Sequence, residues 1–412
     1  MIISTHSLHR NLSFCTLTVI VIILMVATIV EKLYGTHFVT EAIYTSWWMI
    51  ALWAVLAVSS VFYVVRWRMW RQVCTFGLHM ALLLILAGAL TTHLIGVQGR
   101  VHLRQWMPPV KTYYVSDGSE CTLPFRIALD NFEVEYYPDS DASKDYISHL
   151  TIIDCEGVKT MGTISMNKIL KYKGYRFYQT SYDEDHRGSL LSISHDPYGI
   201  GLTYAGYILL LLSMIGFFFQ RRSGFRHMLQ SSTLAARIAM IIGCLCGAVL
   251  ATVMVLSYTH GDEPLIPVLR SPLLGIHVAV IMIAYVLLAC TAICGIVAEV
   301  QHHRKSDYTH TIEQLHIVGR LMLYPALFLL TAGIFIGAVW ANVSWGRYWG
   351  WDPKEVWALI TMLVYAVPIH SRSMRRFACP IIFHHYCIAA FLCVLITYFG
   401  VNLLLGGMHS YA

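Results

Sequence analysis

Long apolar stretches, separated by short polar connections, dominate this chain. The hydrocarbon core of a bilayer, about 30 Å thick, requires roughly 20 apolar residues in a helix. Nine runs approach or exceed that length: 14–34, 44–65, 76–96, 201–219, 237–257, 273–298, 321–340, 357–370 and 381–405. The eighth run is short, and we predict that its helix begins earlier, at Asp352. The pattern predicts an all-α polytopic membrane protein with about nine transmembrane helices.

One polar segment interrupts this pattern between the third and fourth runs. Of the 23 Asp and Glu residues, 14 lie between Val97 and Ile200. Alternating or β-branched stretches fill this segment, and glycine and proline separate them, as expected of strands joined by turns. These stretches are Phe125–Val134, His149–Asp154, Met161–Ile164, Tyr175–Thr180 and Leu190–Ser194. We therefore predict a small β-rich domain inserted between two membrane parts.

Basic residues mark every second connection between the apolar runs. By the positive-inside rule, such connections face the cytoplasm. The clusters follow runs two, four, six and eight: Arg66, Arg68 and Arg71; Arg221, Arg222 and Arg226; Arg304 and Lys305; Arg372, Arg375 and Arg376. We therefore predict a cytoplasmic N-terminus, with the β-rich domain and the C-terminus outside. The first run has no small-residue cleavage site and is predicted to be an uncleaved anchor.

Composition agrees with a membrane protein and excludes a nucleic-acid-binding one. Apolar residues make up 57% of the chain and charged residues only 13%, whereas a soluble protein carries about a quarter charged residues. The net charge of +6 reflects the basic connections, and no basic patch with interleaved aromatic residues lies outside the membrane.

The segment from Trp345 to Trp357 is rich in tryptophan and reads W-G-R-Y-W-G-W-D-P-K-E-V-W. Four tryptophans in thirteen residues exceed what an aromatic belt at a membrane interface requires. Indole rings can stack on a large flat ligand, and their N–H groups can satisfy its polar edge. Heme has this shape, so we predict that Trp345, Trp349 and Trp351 form a surface for heme; the family resemblance given below implies that these residues and Asp352 form a heme-presenting loop. The alternative is an interfacial belt beside a capped helix.

Signals for a helix start follow within the same segment. Asp352 as N-cap, Pro353 at the first helical position and Glu355 three residues after the cap form a capping-box pattern. The residues before it, 341–351, are then predicted to be an external loop on the membrane surface. The tryptophan-rich heme loop as a whole is assigned to residues 341–357.

Two cations of this segment are candidates for contact with an anionic ligand. Arg347 and Lys354 flank the tryptophans. They could neutralise the two propionates of heme, or they could contact lipid headgroups.

Histidines in or beside the apolar runs are the other unusual feature. Ionisable side chains at membrane depth are costly and indicate function. His79 begins the third run and His370 ends the eighth, both on the predicted cytoplasmic side; His277 begins the sixth and His409 follows the ninth, both on the outer side. Two imidazoles commonly hold a heme iron. We therefore predict an inner transmembrane heme site from the first pair and an outer site from the second.

The remaining histidines are predicted to have lesser roles. His93 lies about 21 Å beyond His79 on the same helix, where it could replace an outer ligand or point to the interface. His316 and His384 fall in segments that we expect to be solvated cytoplasmic connections.

Cysteine usage adds a constraint on partners. Of eleven cysteines, only Cys121 and Cys155 lie in the predicted external domain, where a disulfide could form but cannot be deduced from spacing. No C-x-x-C and no C-x-x-C-H sequence occurs. The chain therefore has neither a thioredoxin-like thiol motif nor a c-type heme attachment site of its own.

These motifs resemble those of the CcsA family of cytochrome c biogenesis proteins. The pattern W-G-x-x-W-x-W-D-P-K-E-x-W is followed by V-Y-A-x-x-x-H and by Y-F-G-V-N-L-L-L-x-G-x-H-S-Y-A, within a match that covers most of residues 235–412. The N-terminal half is similar to the partner family, CcsB or ResB, through Gly174–Asp183 and His195–Gly199. The whole chain resembles a natural CcsB–CcsA fusion, a single-chain System II cytochrome c synthase.

The resemblance implies a division into four parts. They are a CcsB/ResB-like membrane part with three spans at 1–96, a β-rich extracytoplasmic domain at 97–200, a fourth span with a cytoplasmic linker at 201–230, and a CcsA-like membrane domain at 231–412. The external domain, about 100 residues long, is shorter than we expect of long fused members. The implied location is the bacterial inner (cytoplasmic) membrane.

The resemblance also implies a function for the predicted sites. Heme b, as a transported substrate, passes from His79 and His370 to His277 and His409, and the tryptophan loop presents it. It is then attached covalently to the C-x-x-C-H segment of an apocytochrome c, which makes the chain a holocytochrome c synthase-type heme lyase. The apocytochrome thiols must arrive reduced, so a separate thioredoxin-like reductant is an implied partner, along with the lipid bilayer.

Three alternatives remain open from the residues. The chain could be a heme exporter without ligation activity, a membrane diheme electron carrier, or an assembly factor that recruits cytochromes without touching heme. A diheme carrier usually holds both hemes on facing helices of one bundle, and it has no need of an open aromatic loop.

Overall fold

The computed structural model describes residues 5–115, 118–221, 223–260, 265–304, 309–371 and 373–405. Within them, the α-helices are α1 Thr5–Tyr34, α2 Thr36–Val39, α3 Trp47–Arg66, α4 Val73–Ile95, α5 Gly199–Phe219, α6 Gly224–Ser231, α7 Leu234–His260, α8 Pro272–His303, α9 Thr309–Ser344, α10 Pro353–Ile369 and α11 Pro380–Leu395. Two π-helical segments, Thr40–Tyr44 and Ile396–Leu405, follow α2 and α11.

Eight helical stretches of the described residues are long and apolar enough to cross a membrane. They contain α1, α3, α4, α5 with α6, α7, α8, α9, and α11 with its π-helical extension. The eighth predicted run forms α10, which has 17 residues and is about 25 Å long, the lower limit for a crossing. The predicted architecture of a polytopic helical protein with an inserted β-rich domain is thus confirmed.

The inserted domain is one antiparallel sheet of eight strands between α4 and α5. Its strands are β1 Val97–Arg104, β2 Val110–Val115, β3 Glu120–Tyr136, β4 Ser143–Ile153, β5 Lys159–Ile164, β6 Leu170–Tyr172, β7 Tyr175–Tyr182 and β8 Gly188–His195. The five predicted stretches fall on β3, β4, β5, β7 and β8, whereas β1, β2 and β6 were not predicted. Helix α5 starts at Gly199, just inside the predicted end of this domain.

The spatial order of the strands, β5-β4-β3-β2-β1-β8-β7-β6, brings the two ends of the domain together. Val97, the first residue of β1, pairs with His195, the last residue of β8. Both connections to the membrane helices therefore leave the sheet from one place. This arrangement lets α4 and α5 run side by side below it.

Helices α4 and α5 approach each other closely because small residues line their contact. A Cβ atom on Gly88 of α4 would lie 2.3 Å from the Thr203 Oγ1 and 2.8 Å from its backbone nitrogen. On α5, a Cβ atom on Gly206 would lie 2.7 Å from the Ile85 side chain. Small residues permit such close packing of membrane helices.

The first helix packs on the C-terminal half of the chain. One buried cluster combines Ile20 and Leu24 of α1 with Val356 and Ile360 of α10. The Trp357 indole nitrogen also donates to the Thr28 hydroxyl at 3.1 Å. The two halves of the sequence therefore form one helical bundle.

The bundle has two chemically different ends. We call the end that carries the basic connections the basic end; there the Thr233 hydroxyl of the α6–α7 connection donates to Gln314 of α9 at 3.4 Å. We call the opposite end the sheet end; there Ser344 of α9 donates to Asn167 of the sheet domain at 2.9 Å.

Candidate functional site

His79 and His370 lie next to each other at the basic end, although they come from opposite halves of the chain. His79 is on the second turn of α4, and His370 caps the C-terminus of α10. Their ring centroids are 6.1 Å apart, and the ring planes are at 88°. Phe14 of α1 packs edge-on against His370, with centroids 5.8 Å apart. The structure thus brings together the two residues of the predicted inner pair.

Each of these rings is oriented by a carbonyl of its own helix. The Nδ1 atom of His79 is 2.8 Å from the Thr75 carbonyl oxygen, and that of His370 is 2.8 Å from the Ala366 carbonyl oxygen. Because a carbonyl oxygen only accepts, Nδ1 carries the proton in each neutral ring, and Nε2 keeps the lone pair. Metal-binding histidines typically have such a partner.

The spacing of the two rings suits one iron atom. An iron bonded to both Nε2 atoms at about 2 Å, the usual length of a metal–imidazole bond, holds the two ring centroids roughly 6 Å apart. The observed separation between His79 and His370 is 6.1 Å. The residues present therefore fit a heme iron as ligand set.

At the sheet end, His277 is oriented by a neighbouring helix. Its Nδ1 atom, near the start of α8, is 2.7 Å from the Gly333 carbonyl oxygen of α9. A Cβ atom on Gly337, one turn further along α9, would lie 2.7 Å from both Cε1 and Nδ1 of the ring. Glycine at this position therefore makes room for the imidazole. His409, the predicted partner of His277, lies outside the described residues.

The tryptophan-rich connection is shorter than the predicted loop. Helix α9 continues through Ser344, so residues 341–344 are helical, and residues 353–357 belong to α10. Ala341 and Asn342 are buried in the bundle, and such packing extends helices beyond what local sequence indicates. The loop proper therefore covers residues 345–352.

The helix start after this loop is as predicted. Asp352 is the N-cap of α10, Pro353 follows it, and Glu355 completes a capping box. The Asp352 carboxylate accepts from the Lys354 backbone N–H at 3.0 Å, while Glu355 accepts from that of Gly350 at 2.8 Å. Asp352 therefore fixes where the loop ends.

The three loop tryptophans are half-buried and pack in different directions. Trp345 makes an edge contact with Trp340 of α9, with centroids 4.8 Å apart. Trp351 stacks on Tyr44 at 4.6 Å, with an angle of 8° between the rings, and makes an edge contact with Trp349. The Trp349 indole nitrogen is buried without a hydrogen-bond partner in the described part of the chain. A buried unpaired N–H is unusual, and it is available to a polar group of a ligand.

A different set of tryptophans has the character of an interfacial belt. Trp47, Trp67 and Trp70, at the two ends of α3, are 80%, 54% and 48% exposed. The loop tryptophans are all less exposed. Their packing favours a surface formed by tertiary contacts over a belt that faces lipid.

The sheet domain holds the loop in place from above. The Tyr348 hydroxyl donates to Thr92 at the end of α4 at 2.8 Å, and Thr92 donates to Asp196, just after β8, at 2.6 Å. Burial raises the pKa of the Tyr348 hydroxyl, which therefore stays protonated as a donor. Gly346 has φ of 79°, and a Cβ atom there would lie 2.7 Å from the ring of Tyr178 on β7. The N-terminal half of the chain thus fixes the loop of the C-terminal half.

A second contact joins β7 to the end of α9. Arg176 donates to the Asn342 side-chain oxygen at 3.1 Å, and Tyr204 of α5 donates to the same oxygen at 2.8 Å. Asn342 is buried, so this bond connects the sheet domain to the helix that carries Gly333 and Gly337.

The two predicted cations lie in this region. The Lys354 amine donates to Asn402 at 2.8 Å; Asn402 belongs to the π-helical segment that leads towards His409. Arg347 is half-buried in the loop. Contact of either cation with a heme propionate stays a prediction.

Three further histidines, His93, His316 and His384, lie outside the two predicted ligand pairs. His93 is exposed at the sheet end of α4. The prediction that His316 and His384 lie in solvated connections is wrong: they are on α9 and α11, and their ring centroids are 6.0 Å apart inside the bundle. His384 is fully buried. In the sequence they lie near basic residues, which predicted an exposed connection. The packing of the helices is what buries them.

Cys121 and Cys155, the two cysteines of the sheet domain, are free thiols. The possible disulfide between them is therefore not formed in this structure.

Two protein families match the chain, one in each half. The family described as cytochrome C assembly protein matches residues 202–409, which is half of the chain, and the ResB-like family matches residues 67–191. Most of α5 and the helices after it belong to the first match, whereas α4 and most of the sheet belong to the second.

Individual proteins are similar to part of the chain. The chain is 41% identical over 152 residues to Protein NrfI of Wolinella succinogenes, which is 36% of this chain and 17% of that protein. It is 40% identical over 157 residues to the cytochrome c biogenesis protein CcsA of Chlamydomonas reinhardtii, 36% of this chain and 43% of that protein. The CcsA of Solanum tuberosum is 33% identical over 196 residues, 39% of this chain and 62% of that protein.

The chain therefore spans less than two thirds of the length of these relatives. The two family matches, found in one polypeptide, show the fusion that the motifs predict. This chain belongs to the cytochrome C assembly protein family and carries, fused to it, a ResB-like N-terminal part.

Proposed function

We propose that this chain carries heme b, as its substrate, across the bacterial inner membrane and attaches it to the C-x-x-C-H segment of apocytochromes c. In this proposal the basic end faces the cytoplasm, in agreement with the positive-inside rule. The sheet end, with its tryptophan loop, faces outward. The activity is that of a holocytochrome c synthase.

The single observation that carries the proposal is the pairing of His79 with His370. Two imidazoles from opposite halves of the chain are 6.1 Å apart, and each Nδ1 is engaged by a carbonyl. Ionisable side chains inside membrane bundles are costly and are retained for function. A pair with this spacing and tautomer supports heme ligation at the basic end.

At the sheet end, the proposed roles of the residues are to hold heme and to orient it. His277 supplies one axial ligand through Nε2, and His409 supplies the other. The half-buried tryptophans Trp345, Trp349 and Trp351 hold the porphyrin so that its vinyl edge is open, and Asp352 fixes the loop from which they project. Arg347 and Lys354 pair with the propionates.

The chemistry proposed there is addition of a thiol to a vinyl group. The histidine of the C-x-x-C-H segment replaces one axial ligand, which aligns the two cysteine thiols with the two vinyls. Each sulfur bonds to one vinyl carbon, and its hydrogen goes to the neighbouring carbon, so that no electrons are gained or lost. Positioning supplies most of the rate enhancement. A thioredoxin-like protein keeps the thiols reduced before they arrive.

Co-expression with a C-x-x-C-H reporter tests the proposal. The wild-type chain should yield reporter with covalent heme on a denaturing gel, and purified chain should show a bis-histidine heme spectrum. His370→Ala should lose both, and added imidazole should partly restore the spectrum. His93→Ala, an exposed change on α4, is the matched control and should behave as wild type.

Other outcomes identify the alternatives. Heme outside the membrane without a covalent reporter would indicate an exporter, and a reversible b-type redox spectrum without transfer would indicate an electron carrier. Normal covalent heme from His370→Ala, or loss of heme in His93→Ala alone, would contradict the assignment of the inner pair.

A further inference from the structure

Arg320 is a cation inside α9, close to the inner histidine pair. It lies about 16 Å along the helix from Thr309, immediately before the apolar run 321–340. Its side chain is half-buried. Its neighbours in the chain, Gly319 and Leu321, are buried against the bundle. Arg320 therefore lies at the basic end, partly enclosed by the bundle.

The guanidinium of Arg320 reaches towards the inner site. Its Nη2 atom donates to the hydroxyl of Ser371 at 2.7 Å, and Ser371 directly follows His370. The next described residue, Ser373, is bonded to the Tyr63 hydroxyl of α3. Contacts from α9 and α3 thus fix the turn that carries the ligand.

No carboxylate of the described residues lies within ion-pair distance of Arg320. A cation that is partly buried in a helical bundle is costly, and it is normally paired or functional. Hydrogen bonding to one neutral serine leaves most of its five N–H donors for another acceptor. These remaining donors suit an anionic oxygen group from outside the described part of the chain.

We infer that Arg320 is the propionate anchor of the inner site, which rests on the proposed function. A porphyrin whose iron is bound by His370 carries two carboxylates at its rim, and Arg320 is held one residue away from that ligand. Arginine binds carboxylates bidentately and in a defined direction. The anchor therefore sets how heme is rotated between His79 and His370. Phosphate of an anionic lipid offers similar chemistry and is the competing occupant.

Titration of heme into the purified full-length chain, stripped of heme, tests the inference. Arg320→Gln should weaken heme binding about tenfold, as expected for the loss of a charge-assisted hydrogen bond, whereas Arg320→Lys should lose less. Arg304→Gln, which removes an exposed cation at the same end, should bind as wild type. Ser371→Ala should also retain heme, since it removes the bond that holds Arg320 but not the charge.

Heme dimethyl ester, which lacks the propionate charge, separates the two occupants. It should bind the wild-type chain about tenfold more weakly than heme, and it should bind Arg320→Gln and wild type equally. Two results together would overturn the inference and assign Arg320 to lipid. Heme would bind the wild-type chain and Arg320→Gln with equal affinity, and phosphatidylglycerol vesicles would raise the thermal stability of the wild-type chain only. If Ser371→Ala weakened heme binding as much as Arg320→Gln, Arg320 would have a structural role only.

The failure of this inference can be told from failure of the proposed function. If the wild-type chain binds no heme, or if His79→Ala binds as much heme as the wild type, the proposed function itself is wrong. If His79→Ala abolishes binding and Arg320→Gln does not weaken it, only the anchor is wrong.

Discussion

At the basic end, His79 and His370 are each oriented by a carbonyl one turn back on their own helix, and the site forms where α4 meets α10. At the sheet end, His277 is oriented by a carbonyl of another helix, and the sheet domain holds the adjoining loop. Ligand orientation is therefore local at the basic end and depends on tertiary contacts at the sheet end. Changes distant from the ligand should therefore affect the outer site more than the inner site.

The largest effect is expected when one ligand of each site is replaced, because the two sites should then lose different functions. His277→Ala should lower covalent heme on a C-x-x-C-H reporter by more than about a hundredfold, because loss of even an outer-shell partner of a metal ligand costs 10–100-fold. The same variant should keep the heme of the inner pair, measured by absorbance of the purified protein. His79→Ala should instead lose the inner heme. If both variants gave the same spectrum, the assignment of two separate heme sites would be wrong.

A smaller effect tests whether α9 positions the outer ligand. Gly337→Ala would place a Cβ atom 2.7 Å from the His277 ring, and overpacking of this kind costs about 1–3 kcal/mol. We expect roughly tenfold less covalent heme, with inner heme unchanged.

Gly275→Ala on α8 is the matched control for this change. A Cβ atom there meets nothing within 4 Å, so reporter yield should stay at the wild-type level. A loss of inner heme in Gly337→Ala, measured in the same spectra, would show that the bundle rather than the outer site was disturbed.

The smallest effect concerns the loop. Trp351→Ala removes the stack on Tyr44 of the N-terminal part, and such aromatic pairs contribute about 0.5–1.5 kcal/mol beyond the area they bury. Covalent heme yield should fall several-fold, while thermal unfolding shows an intact bundle. Tyr44→Phe keeps the stack and should retain most of the yield. Misfolding of Trp351→Ala with normal heme content in the folded fraction would assign Trp351 to packing alone.

Much of the fold follows from local sequence. The apolar runs predict the helices that can cross a membrane, since length and hydropathy alone decide whether a helix can do so. The capping box at Asp352 and Glu355 is equally local, and the structure has it as predicted. Three strands were missed: β1, β2 and β6. Of these, β1 pairs with β8 from the other end of the domain, whereas β6 has only three residues and pairs with the next strand in the chain.

The candidate site was only partly predictable. The histidine at each end was recognisable because an ionisable residue in an apolar run is unusual. Nothing in the sequence indicated that Gly337 makes room for His277, or that Arg320 reaches Ser371. The burial of His316 and His384 was missed for the same reason, since it results from the packing of α9 on α11.

By itself, the sequence determined the membrane helices, the inserted sheet, the helix start at Asp352 and the chemical types of residue at each end. These properties depend on hydropathy and hydrogen bonds over a few residues. Only the tertiary structure decided that His79 meets His370, that the sheet domain holds the tryptophan loop, and that α9 runs on to Ser344. Those contacts join residues far apart in the chain, and their energy depends on packing that no local pattern encodes.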